Sequence, residues 1–200
     1  LGANTTASNN TSVGSESLTT NTTGAENTAV GVSAMKANIT GIKNSAVGRN
    51  SLRDNTTGQG NVAMGYEALS NNTTADNNTA IGKDSLYTNI TGDNNTAIGK
   101  DSMFYNTTGY SNAAVGRNAL LNNTTGYNSV AVGYRALQVN TTGDSNVAVG
   151  EESLAQCTSG HTNSALGRQA LKTVTTGVRN VGLGYQAGDN ITTGDDNIIL

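Results

Sequence analysis

A glycine preceded by an aliphatic residue recurs at Gly14, Gly31, Gly48, Gly65, Gly82, Gly99, Gly116, Gly133, Gly150, Gly167 and Gly184, always 17 residues apart. Surface loops tolerate length drift and this chain shows none, so every repeat must occupy the same length of backbone. With each repeat numbered 1 to 17 and the glycine last, the consensus is x-x-[AS]-L-x-x-N-T-T-G-x-x-N-[TSV]-A-[VIL]-G. Seventeen residues with two glycine-centred turns are too few for a helix pair, and N-T-T and T-A-V favour strands over helices. The expected fold is all-β: a parallel β-solenoid (β-roll) of 17-residue coils. Coils would stack about 4.8 Å apart, a rod of roughly 55 Å. Residues 1–200 form a single module, with ten complete coils over 15–184 and partial coils at 1–14 and 185–200. Both ends cut a repeat, so a fragment of a longer fibre is expected.

Composition closes off the alternatives. Only 34% of the residues are hydrophobic and 4% aromatic, too lean for a conventional single core. A net charge of -3 is too small to enforce disorder by repulsion, and it argues against nucleic acid or an anionic membrane as partner. No apolar run approaches the roughly 20 residues of a membrane span, and no secretory signal is read at the start, so membrane insertion is not expected. The absence of proline suits a backbone that must bond coil to coil throughout. One cysteine, Cys157, allows no internal disulfide.

Alternation along positions 14 to 16 assigns inside and outside. Position 16 is always Val, Ile, Leu or Met, so rows 14 and 16 are expected to face the interior and row 15 to face out. Row 15 is alanine in nine successive coils: Ala29, Ala46, Ala63, Ala80, Ala97, Ala114, Ala131, Ala148 and Ala165. A small residue held outside points to close approach of another chain. Position 4 is Leu or Met from Leu1 through Leu171 and Gly188 in the last coil, filling either the thin core or an inter-chain seam.

The string N-[ST]-A-V-G, as in Asn27-Thr28-Ala29-Val30-Gly31 and Asn44-Ser45-Ala46-Val47-Gly48, resembles the N-S-V-A-I-G repeat of trimeric autotransporter adhesin heads and is similar to repeats in phage tail fibres. The coil is longer than the usual one of that family. The resemblance implies left-handed parallel β-rolls assembled side by side as a homotrimer of identical chains, with the small residue of the motif in the interface. It also implies an extracellular or virion-surface location.

The N-x-T triplets are the candidate binding surface. If each is extended, Ile39 and Ile90 mark the middle side chain as inward, which turns the flanking residues outward. The outward set is then Asn21 and Thr23, Asn38 and Thr40, Asn55 and Thr57, Asn72 and Thr74, Asn89 and Thr91, Asn106 and Thr108, Asn123 and Thr125, and Asn140 and Thr142. Two polar rows would run about 6.6 to 7 Å apart across the strand and about 4.8 Å apart along the rod. Such a flat uncharged lattice partly resembles the threonine-rich faces of solenoidal ice-binding (antifreeze) proteins. A repetitive ligand suits a repetitive face, because weak contacts add when geometry lets them engage together. Bland strand-and-turn chemistry explains N-T-T-G equally well. Each triplet also matches the glycosylation acceptor pattern, here a by-product of the repeat. The Asn row at position 13, replaced once by Ser129, reads as turn chemistry. At position 7 the Asn row gives way to Cys157, Val174 and Ile191.

Chemistry is otherwise sparse. Cys157 and His161 supply two ligands where zinc needs at least three from protein, and Asp76, Asp93, Asp144 and Asp195 lack the oxygen density for calcium. No metal or cofactor is expected, and no Ser-His-Asp set supports an enzyme. Lys83, Lys100 and Arg117 beside Asp84 and Asp101 read as a solvated, partly paired strip. Tyr87, Phe104, Tyr105, Tyr110 and Tyr127 cluster mid-rod, either as a glycan-stacking patch or as packing between rows or chains. The expected function is a non-enzymatic fibre segment binding ordered water or ice. Attachment to host cell-surface glycans and a passive spacer are the alternatives.

Overall fold

The computed structural model describes residues 3–200; Leu1, assigned above to row 4, lies outside them. Three-residue strands recur every coil, from Thr11–Val13 (β1) and Thr28–Val30 (β2) through Val181–Leu183 (β11), followed by the two-residue Ile198–Ile199 (β12). They form one parallel sheet in sequential order, and no helix occurs among the described residues. The register shifts by one repeat per strand, so Ala29 pairs with Ala46 and Ala63 with Ala80. Equivalent residues therefore line up as rows along the rod, in about 11 turns of a β-solenoid.

Only three residues per coil are strand, yet the ladder of bonds runs around the whole circumference. In one coil, Leu18 donates to Ala34, Thr20 to Lys36, Thr22 to Ile39 and Thr28 to Asn44, while Gly31 and Ser33 donate backward to Val13 and Ser15. Backbone polar groups are thus paired between coils where a thin core could not otherwise bury them.

Three non-glycine residues in most coils adopt the left-handed backbone: position 2 (Asp84, φ 57°), position 4 (Leu86, φ 53°) and position 12 (Asn77, φ 58°). Such a backbone costs an L-residue roughly 1–2 kcal/mol. All three amides are inter-coil donors: Asp84 to Tyr66, Leu86 to Ser102 and Asn77 to Gln59. Position 4 is Leu or Met and never Val or Ile, because branching at Cβ makes the left-handed region far worse. The one departure, Gly188, keeps φ at 70°. Glycine at position 17 has a different cause: a Cβ on Gly99 would lie 2.7 Å from the backbone carbon and oxygen of Gly116.

The core is the row of Leu and Met at position 4 packed on the alanines of position 15, with Ala or Ser at position 3; all are buried. Each Leu contributes about 1.5–3 kcal/mol by leaving water. Here the expected orientation of the strand is corrected. The alanine side chains point inward and the aliphatic side chains of row 16 point out, with row 14 half-buried in most coils. The gap between the strand and the opposing leucine admits only a small side chain. At Gly182, which replaces the alanine, a Cβ already falls 2.7 Å from Leu171 Cγ.

Candidate functional site

Both asparagine rows turn inward. Asn21, Asn38, Asn55, Asn72, Asn89, Asn106, Asn123 and Asn140 are fully buried, so the expected outward N-x-T lattice is corrected to a single outward threonine row. The segment bends rather than running extended. Asn enters the core, and position 8 turns outward with position 9, leaving Ile39 and Ile90 exposed. From Asn38 to Asn140, each buried Asn donates from Nδ2 to the Oδ1 of the preceding row neighbour, at 2.7 Å for Asn106 to Asn89 and for Asn123 to Asn106. The same Nδ2 donates to the carbonyl at position 10, as in Asn106 to Gly109 at 2.9 Å. The position-13 row is held likewise: Asn95 takes the Oδ1 of Asn78 on its backbone amide and donates to Gly109. Turn chemistry along the stack, expected for this row, is what the bonds show.

The first ladder stops at Cys157. Its thiol is buried 3.8 Å from the Gly160 carbonyl, and burial pushes its pKa up to about 11. Asn140 Oδ1 is left buried without a donor. Val174 continues the row within the apolar core, and the partly buried Ile191 packs against it.

Thr23, Thr40, Thr57, Thr74, Thr91, Thr108, Thr125 and Thr142 are exposed. Their neighbours at position 8 turn their hydroxyls to the next coil's carbonyl, as Thr56 does to Thr73 at 2.9 Å and Thr124 to Thr141 at 2.9 Å. The outward threonine lattice is therefore one solvent-facing row beside a row of methyl groups and isoleucines.

Ala29, Ala46, Ala63, Ala80, Ala97, Ala114, Ala131, Ala148 and Ala165 are enclosed by their own coils and cannot touch another chain. The outer strand face instead shows row 16, with Val47, Met64, Ile81, Ile98, Val115, Val132 and Leu166 between 36% and 52% exposed. Neither row 14 nor row 16 contains a charged residue. The sequence signal was present: an unvarying small residue marks the tight side, and a row free to be Val, Ile, Leu or Met marks the open one.

The aromatic residues form two groups. Tyr87 stacks on Phe104 at 5.0 Å and 14°, and Tyr105 meets Phe104 edge-on at 4.7 Å and 70°. Tyr110 and Tyr127 stack separately at 5.0 Å and 3°. Three tyrosines missed in the sequence, Tyr66, Tyr134 and Tyr185 at position 1, lie under cations: Lys83 and Arg168 from the same row of the adjacent coil, and Arg135 of position 2 over Tyr134 at 4.8 Å. Lys83–Asp84 (2.9 Å) and Lys100–Asp101 (3.3 Å) pair as the adjacent charges suggested.

The acidic residues of position 11 belong to the stack. Asp76 accepts from the Gln59 amide and Asp93 from the Asp76 amide, while His161 Nδ1 bonds Asp144. Cys157 and His161 are not brought together by any bond, and no cluster of three His, Cys, Asp or Glu occurs among the described residues. No family model, curated protein or solved structure matches the chain.

Proposed function

We propose that the chain is a non-enzymatic fibre segment that assembles side by side with copies of itself through the outer strand face. The observation that supports it is the aliphatic row at position 16, exposed along a face without a single charge. Eleven strands of three residues and one of two make a strip of roughly 55 by 10 Å. At about 500 Å² that is near the upper end of what a soluble monomer leaves uncovered. A second copy is the partner whose side chains repeat at the same spacing, so that every coil meets an equivalent one. A left-handed coil and a trimer at a cell or virion surface follow the resemblance to adhesin heads and tail fibres. Light scattering tests the assembly: three chains of 20.3 kDa give about 61 kDa. Ile81→Lys with Ile98→Lys should lower that mass to one chain with unchanged circular dichroism. A wild-type mass of 20.3 kDa refutes the reading.

A second reading, ordering of water or binding of ice, is favoured by the exposed uncharged threonines of position 9. Replacing Thr57, Thr74 and Thr108 with Lys should abolish partitioning into a growing ice front. Equal partitioning of variant and wild type would leave the fibre as a spacer.

A further inference from the structure

We infer that the flank of the rod carries a subsite for a single neutral pyranose ring, built from Phe104, Tyr105, Leu121, Asp101 and Asn118. These five residues line a hollow of ≈ 240 Å³ across two successive coils. That is smaller than the roughly 300–1,000 Å³ of common small-molecule sites, a size for one ring rather than a chain of them.

Its walls are apolar and polar in the proportion a sugar requires. Phe104 is stacked against Tyr87 on one side, and Tyr105 rises nearly perpendicular to it, 50% exposed. Leu121 completes the apolar side. The C–H face of a pyranose packs on such aromatic surfaces while its hydroxyls need partners at the edge. Asp101 and Asn118, both at position 2, supply that edge. The Asp101 side chain is 22% exposed at this edge, and Asn118 stands one coil further along. A carboxylate accepts from hydroxyls and a carboxamide both accepts and donates, so this edge suits a hydroxyl-rich ligand. No cationic residue lines the hollow, which disfavours an anionic ligand, and Lys100 already partners Asp101 at 3.3 Å, which weakens the attraction for a cation.

The site interrupts the repeat. The coil holding Phe104 and Tyr105 is the only one with aromatic residues at both positions 5 and 6. It also lies away from the assembly face. Leu at position 4 reaches across the core to position 15, and Ser17 Oγ bonds the Ala29 carbonyl at 3.1 Å, so positions 3 and 4, which the hollow's residues flank, lie across the core from the strands. The subsite therefore stands or falls independently of the self-association above.

Saturation-transfer NMR with methyl glucoside, methyl galactoside, methyl mannoside and N-acetylglucosamine, each at millimolar concentration, tests it. At least one should receive saturation from the protein, mainly on the hydrogens of one ring face. Tyr105→Ala and Asp101→Ala should each weaken that binding at least tenfold, and Tyr105→Phe should retain it. Tyr110→Ala, at the other exposed aromatic stack, should leave it unchanged, and circular dichroism should be the same for all four variants. Transfer to none of the four sugars overturns the subsite, as does equal loss with Tyr110→Ala. Binding of tetramethylammonium in place of any sugar also overturns it, by making the hollow a cation cage.

Discussion

Substituting an asparagine inside the buried ladder should cost more than substituting the one at its end, although the two environments look alike. In Asn106→Val, Asn89 Oδ1 loses its donor and one N–H of Asn123 loses its acceptor. The Gly109 carbonyl stays paired through Asn95 at 2.8 Å. Two new unmatched groups at about 1–3 kcal/mol each, less about 1 kcal/mol for the added apolar contact, predict a loss of about 3 kcal/mol. In Asn140→Val, Asn123 Oδ1 and the Gly143 carbonyl lose their donors. The Asn140 Oδ1 that already lacks one disappears with the substitution. The net change is one unmatched group, offset by the same apolar gain, so the loss should be about 1 kcal/mol. Cys157→Asn provides a third arm. It satisfies Asn140 and moves the unmatched oxygen to position 157 beside Val174, so stability should change by less than about 1 kcal/mol. Guanidinium unfolding followed by circular dichroism, compared at equal m-values, reads all three. Equal losses for the Asn106 and Asn140 variants would refute a ladder that terminates at Cys157.

Four further outcomes are expected. Leu86→Met should be nearly neutral, whereas Leu86→Ile, of the same volume, should lose about 1–2 kcal/mol more in thermal or chemical unfolding, because φ at that residue is 53°. Cys157 binds its proton more tightly folded than unfolded, with the pKa moving from 9.0 to about 11. Its contribution is complete below pH 9 and declines as pH rises toward 11, so wild type should lose stability relative to Cys157→Ala across that window in unfolding titrations. Native Cys157 should also resist iodoacetamide at pH 8 until denaturant is added. Gly99→Ala should destabilise by several kcal/mol in the same unfolding assay, since its Cβ would meet the backbone of Gly116 and φ is 130°.

The repeat, the parallel register and the leucine row were legible because a fixed 17-residue period has few physical solutions. Side-chain direction was harder. In a strand of three residues, alternation says that Ala29 opposes Thr28 and Val30 but not which side is inside. Bulk suggested Val30, and the narrow gap to position 4 selects Ala29. The triplets misled for a related reason: an extended Asn38-Ile39-Thr40 would bury Ile39, whereas the bend buries Asn38, whose amide has row neighbours to satisfy it. Left-handed backbone at Asp84 and Leu86 carries no glycine to announce it. The aromatic cluster was visible in sequence, but its polar edge at Asp101 and Asn118 emerges only when positions 2, 5 and 6 of adjacent coils meet.

The ladder that encircles each coil also governs how such a gene can change length. Deleting a single codon would leave one turn a residue too short to match the coils on either side, breaking its bonds to both, so shrinkage or growth is tolerable only by whole turns. Rod length then behaves as a count of whole turns, adjustable by recombination between repeats.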